Sequence, residues 1–222
     1  MGDATASNVL TLDGFFIDVY EVTNGQYLQF CTQVEGGWRW PSYDLQEAPP
    51  NMPVVDVTFY DALAYAAWAG KQLPTEAQWA RAAYGDRTAS DRYPWGSEWQ
   101  AGACNSGTGE DTYEFAAPTG SFEKDRAWSG CYDMAGNVSE WTRTEFKELP
   151  YNPLDGRDDP SRFSFGTPIS VRGGNLRDTA RTTLNARFSR LFEAHDYTLG
   201  FRCVKEVPKE AEDTEGPAPE AQ

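Results

Sequence analysis

Histidine is almost missing from this chain: a single one, His195, stands among 222 residues. That excludes any centre assembled from several imidazoles and leaves a lone ring in a polar stretch. Long apolar runs are missing as well. No segment approaches the roughly eighteen residues needed to cross a bilayer, and the opening "MGDATASNVL" has neither the basic region nor the apolar core of a secretory signal. The chain is expected to be soluble, without direct membrane insertion, and any signal or anchor would lie outside it. Basic charge is scarce: 19 Lys and Arg face 34 Asp and Glu, a net charge of -15. Such a balance repels phosphate backbones and excludes nucleic acid as a partner.

Cysteine is sparse and scattered. Cys31, Cys104, Cys131 and Cys203 show no CxxC spacing, which argues against zinc. An even count fits two disulfides and a periplasmic or extracellular setting. Four buried thiols are the other reading, and they leave the cytoplasm open. Aromatics, by contrast, are plentiful, with eight Trp among polar, Gly- and Pro-rich segments, so apolar mass is concentrated in large rings. One loop-rich domain over residues 1–205 is expected. The remainder, 206–222, is rich in Pro, Glu and Ala and cannot bury enough surface to order itself, so it reads as a disordered tail or linker.

Regular elements are few. "VLTLDGFFIDVYEV" alternates and predicts a strand up to Tyr20. Helices are predicted after Thr23 or Asn24, with Tyr27, Phe30, Cys31 and Val34 on one side, after Thr58 with Gly70 as stop, and after Thr75 with Gly85 as stop. Residues 86–168 are dominated by turn formers, and a loop region of that length needs pinning by metals, disulfides or function. "ISVRGGN" and "LGFRCVKEV" read as two strands around a polar segment. There is no internal repeat.

The pieces "IDVYEVTNGQYLQF", "PVVDVTFYDALAYAAWAGKQLPTEAQWARAA", "YPWG", "GCYDMAGNVSEWT", "VRGGN" and "LGFRCV" follow one another in an order that resembles the formylglycine-generating enzyme family, also called sulfatase-modifying-factor domains. The resemblance spans roughly residues 12 to 205. It implies an α+β domain, a formylglycine-generating-enzyme-like variant of the C-type lectin fold with low regular secondary structure. That fold hosts copper oxidases that act on a sulfatase cysteine, iron sulfoxide synthases, a siderophore-maturation protein and hypervariable ligand binders, so it does not decide function.

"DMAGNVSE" places Asp133 and Glu140 on either side of a glycine-containing turn, the kind of irregular backbone that offers oxygens to a hard cation. The resemblance implies calcium ligands at Asp133, Gly136, Val138 and Glu140, the middle two through carbonyls, and a second set at Asn105, Ser106, Asp111 and Tyr113. Asx-rich turns with solvated acids would use the same residues. Glu21 is a further oxygen ligand or an internal hydrogen-bond partner. Glu140 is not read as a catalytic base.

Departures from the family pattern weigh on activity. Formylglycine-forming members carry two cysteines between the "RGG" and "GFR" strands, where thiolates hold soft Cu(I). Here that segment, "NLRDTARTTLNARFSRLFEAHDYTL", has none. Ser139 stands for the first Trp of the usual "WEW", and Asn175 for a Ser. Neither copper nor haem is expected. The family's usual partner for the cysteine at position 203 is also missing, since Ala66 and Ala67 occupy that stretch, which leaves Cys104 with Cys131 and Cys31 with Cys203 as candidate disulfides. A ligand-binding groove is expected near Trp141, Asn175 and Arg187. The arginines 172, 177, 181, 187, 190 and 202 either build an anion pocket or form internal salt bridges, the second being favoured. Two functional classes follow: a calcium-stabilised, catalytically degenerate binding or assembly module for another protein or small ligand, or an oxidoreductase of the same fold with a different site, as in the siderophore-maturation branch.

Overall fold

Three helices begin in the same way. In "TNGQ", "TFYD" and "TEAQ" the threonine accepts the amide three residues on, while the side chain at that position accepts the threonine's own amide. Two orphan donors are satisfied at each start. These capping boxes open α1 (Asn24–Gln33), α2 (Phe59–Trp68) and α3 (Glu76–Tyr84). Gly85, at φ 59°, ends α3, and Gly70, at φ 65°, follows α2. The computed structural model describes residues 10–87, 90–178 and 182–208.

Asp61 does more than close its box: it also accepts the indole N–H of Trp38 at 3.0 Å and the guanidinium of Arg39 at 2.5 Å. Burial alone would raise its carboxyl pKa, but hydrogen bonds from Arg39, Thr58 and Trp38 outweigh that and hold it below the ordinary value. Stability from a depressed carboxyl is present above the unfolded pKa of about 3.9 and is lost as pH falls through the lower folded value. Asp61→Asn is therefore expected to cost about 1–2 kcal/mol at neutral pH, with the difference from wild type shrinking in acid. Urea titrations at neutral and strongly acidic pH measure this, and an equal loss at both would remove the carboxylate charge from the explanation.

The main sheet has the order β4–β3–β2–β5, with β2 Ser139–Glu145, β3 Pro168–Arg172, β4 Arg187–Leu191 and β5 Leu199–Gly200. β2 runs antiparallel to β3, in a register that shifts between Trp141 and Glu145, and parallel to β5. A two-stranded sheet pairs β1 (Phe15–Ile17) with β6 (Val204–Glu206), antiparallel. The larger core lies between α1, α2 and the main sheet. In it Tyr27 packs on Phe30 and Tyr65 at ring separations of 5.3 and 5.9 Å, and Phe201 meets Tyr65 at 5.3 Å. A smaller core sets Trp79, Ala82 and Ala83 of α3 against Cys131, Met134 and Leu184.

Four expectations shift. The first strand is shorter than its alternation suggests, because its partner β6 is only three residues long. "LGFRCVKEV" is not one strand: it breaks at Phe201–Cys203, where Arg202 turns inward, and its two halves join different sheets. β2 and β4 were hidden in segments read as loop and polar linker. The domain also runs past residue 205, since Glu206 pairs with Phe15; of the expected tail, 209–222 lie outside the described residues.

The cysteines are corrected outright. All four are free and buried, and neither expected pair, Cys104 with Cys131 or Cys31 with Cys203, is formed. Each is used as a small packing group. The thiol of Cys31 points at the Arg39 carbonyl (3.7 Å) and that of Cys131 at the Asp18 carbonyl (3.6 Å). Burial pushes the Cys31 thiol up to about 11, and it pushes Cys104 and Cys203 up as well. These are inert thiols rather than nucleophiles.

Candidate functional site

Asn137 joins the two expected ion loops. Its amide donates to the Asn105 carbonyl at 2.8 Å. Its side-chain oxygen accepts from Ala117 N at 2.8 Å and Asn105 Nδ2 at 3.1 Å, and its Nδ2 donates to Glu21 Oε2 at 2.7 Å. Tight turns make this geometry available: Asp133, Gly136 and Asn137 have φ of 60°, 129° and 55°. Asn137 itself is a binder of the loops that the sequence reading passed over, although an Asn directly after Gly is a turn signal.

The loop from Asn105 to Tyr113 has the features of an oxygen cradle. The Asp111 carboxylate is buried and accepts the amides of Ser106 (2.9 Å) and Tyr113 (3.0 Å). Asn105 Oδ1 is buried without a hydrogen-bond partner among the described residues. A buried acceptor with no donor is a position a cation would fill, so this set fits calcium.

The Asp133 loop is different in kind. Glu21, Asp125, Asp133 and Glu140 are all at most 1% exposed, and Arg202 is the fully buried cation that faces them. Burial raises the Glu21 carboxyl, and the charges of Asp133 and Glu140 raise it further. Burial and Asp133 likewise raise Asp125. Asp133 is pushed up to about 6 by burial, against the Gly120 amide and Arg202. The excess of buried negative charge suits a cation. Glu140, however, is not a free ligand: its oxygens accept from Arg202 Nε and Nη2, both at 2.7 Å, and from Trp79 Nε1 at 2.8 Å. Among the described residues no three His, Cys, Asp or Glu side chains gather as a metal site, so backbone oxygens such as those of Gly136 and Val138 would have to complete the set. Glu21 serves as an internal partner, accepting from Asn137 and from Val138 N. Asp125 went unnoticed in the sequence because, between Lys124 and Arg126, it reads as a solvated acid.

The expected groove of Trp141, Asn175 and Arg187 does not exist as one surface. Trp141 faces the core, its indole N–H donating to Val57 O at 3.0 Å. Asn175 is buried, donating to Ser139 Oγ at 3.0 Å and accepting the Arg177 amide at 2.9 Å. Arg187 is ion-paired to Glu76. Trp141 is covered because it lies in the buried stretch Ser139–Thr142 of β2, an inner strand of the main sheet. An apolar cleft of about 270 Å³ lies elsewhere, lined by Tyr43, Met52, Pro53, Phe115 and Tyr197 among others. Phe115 is 57% exposed at it, and the Arg177 guanidinium stacks over Tyr197 at 4.6 Å.

Three of the six arginines follow the internal reading: Arg172 and Arg187 pair with Glu76, and Arg202 with Glu140. Arg190 stacks on Phe188, and Arg181 lies outside the described residues. His195 holds Asp56 at 2.7 Å, an anchoring contact.

Comparison with known proteins agrees with this architecture. Residues 1–207 match the model of the sulfatase-modifying factor enzyme 1-like domain. The chain is 33% identical over 220 residues to the serine/threonine-protein kinase pkn1 of Chlamydia pneumoniae, covering 88% of this chain but 33% of that protein. It thus spans about a third of the length of that relative. It is 34% identical over 247 residues to the inactive C-alpha-formylglycine-generating enzyme 2 of Bos taurus, covering 88% of this chain and 78% of the relative. Among solved structures, PvdO from Pseudomonas aeruginosa superposes with a TM-score of 0.69 at 25% identity, covering 87% of this chain and 80% of that one.

Proposed function

This chain belongs to the sulfatase-modifying factor enzyme 1-like family, and from that premise we propose that it is a catalytically degenerate member: a calcium-stabilised module that binds another protein or a small ligand. The observation that carries the proposal is the placement of its thiols. Residues 175–199 contain no cysteine, and the four that exist are all buried elsewhere. Copper-thiolate chemistry needs an accessible thiolate pair. The relative named inactive C-alpha-formylglycine-generating enzyme 2 supports the same direction. A match confined to a third of a kinase's length is in keeping with a module that works beside other domains.

Recognition is assigned to the apolar cleft beside Phe115 and Tyr197, where aromatic rings present area at low entropic cost. Calcium would be held by Asn105, Asp111 and the carbonyls of Ser106 and Tyr113, so the ion would brace the segment that carries Phe115. It supplies charge compensation and rigidity. With the thiols unpaired, the case for a periplasmic or extracellular home rests on calcium, which modules of weak affinity meet only outside the cytosol.

Elemental analysis and melting curves test this. Calcium at a hundredfold over its Kd contributes about 2.7 kcal/mol, or roughly 5–10 °C for a chain of this size. A chelator is expected to lower the melting midpoint by that much, and calcium to restore it. Unchanged midpoints would overturn the structural ion. Stoichiometric copper or iron in the purified protein, or aldehyde formation on a sulfatase peptide, would favour the oxidoreductase reading instead.

A further inference from the structure

A second cavity, of about 290 Å³, is lined by Leu10, Leu12, Ala77, Ala80, Leu149 and Tyr151, with Arg81, itself paired to Asp86, at one side and Glu76, Arg172 and Arg187 at the floor. It shares no residue with the cleft at Phe115 and Tyr197. Its floor is unbalanced. Arg172 Nη1, at 3.3 Å, and Arg187 Nε both reach the same oxygen of Glu76, Oε1. Two guanidinium charges therefore face one carboxylate, in a protein whose net charge is -15.

Hydrogen bonding is also incomplete beneath the floor, out of reach of the cavity itself. Arg172 Nε and Glu76 Oε2 are both buried without partners among the described residues, although each side chain is more than nine-tenths buried. Burial, opposed by Glu76 and reinforced by the charge of Arg187, holds Arg172 below the usual arginine range. An anion at the floor would offset the second guanidinium charge. The walls are mostly aliphatic, with the Tyr151 ring among them, and Leu149 stands half-exposed.

We propose that this cavity binds a single carboxylate carried on a short aliphatic stem, the head meeting the Arg172–Arg187 pair and the stem meeting Leu12, Ala80 and Leu149. The volume, at the lower end for ligand pockets, suits a small acid or one terminal residue of a peptide. A free acid and a peptide C-terminus present the same chemistry here.

Isothermal titration with 4-methylpentanoate and with N-acetyl-leucine separates the two sources, and their amides are the controls. Saturable one-to-one binding of at least one acid is expected, with its amide at least tenfold weaker. Binding of only 4-methylpentanoate assigns a free acid, and binding of only N-acetyl-leucine a peptide terminus. Lengthening a straight-chain acid is expected to tighten binding about fourfold per methylene. Arg187→Gln should weaken binding at least tenfold. Should that variant fail to fold, Leu149→Ala at the exposed rim provides the test, because it should weaken 4-methylpentanoate severalfold and leave acetate unchanged. No saturable binding of either acid, or acid and amide binding alike, overturns the proposal. So does affinity that neither variant changes. A chelator should leave this binding in place, so its failure is distinct from a failure of the calcium reading.

Discussion

Replacing Arg202 by leucine is expected to cost about 3–5 kcal/mol, the penalty for stranding a buried charge, out of a total stability on the order of 5–15 kcal/mol. Arg202 and Glu140 both have side chains at 0% exposure. All five guanidinium donors are used. Two meet Glu140 at 2.7 Å, one meets Tyr132 O at 2.8 Å, and the others meet Asp18 O at 3.1 Å and Val19 O at 3.2 Å. Burial by itself would lower the arginine's pKa, but the charge and hydrogen bonds of Glu140 override it and hold the guanidinium above its usual range. One side chain thus ties the exit of β1, the Asp133 loop and β2 together, and Trp79 brings in α3 through the same carboxylate. The variant is expected to accumulate unfolded or to lose most of its urea midpoint. Removing Glu140 as well, with Arg202→Leu and Glu140→Leu together, should cost less than the sum of the single changes, since no lone charge is left. A single-variant loss below about 1 kcal/mol would mean that the pair is not what organises this region.

Gly136→Ala should rank second. At φ 129° the backbone lies where side chains are strained, and an added Cβ would stand 2.4 Å from the Asn105 carbonyl oxygen and 3.3 Å from Thr182 Cγ2. The strained conformation costs on the order of 1–3 kcal/mol, and forced overpacking a similar amount. Because that carbonyl accepts the Asn137 amide, relief would have to come from parting the two loops. Gly70→Ala is the matched control. Its φ is also positive, 65°, but nothing lies within 4 Å of the new Cβ, so it should cost only about 1–2 kcal/mol. Equal losses in the two variants would show that the close approach of the loops plays no part.

The helices were legible because their signals are local. A threonine with a Gln or Asp three residues later, followed by apolar spacing, names its own start, and a glycine names the end. β2 was not legible. "SEWTRTE" carries no two-residue alternation of apolar and polar, because Thr142 and Thr144 are buried as fully as Trp141 and satisfy their hydroxyls on Ser170 O and Asp158. The Asp133 and Asn105 loops could be picked out as special, yet nothing in either segment says that Asn137 bridges them or that Asp125 belongs to the same buried group.

By itself, then, the sequence determined the family and its loop-built fold, the three helices with the stops of the second and third, and the absence of a cysteine pair between the glycine and arginine motifs, since each is a matter of residue type and short spacing. Only the tertiary structure decided which groups face one another across long separations in the chain. It turned Glu140 toward Arg202 and left four thiols unpaired. It buried Trp141 and Asn175, and gathered Glu76, Arg172 and Arg187 under an aliphatic cavity. Burial and charge pairing are properties of neighbours in space, and a chain with so little regular structure carries almost no periodic signal from which those neighbours can be read.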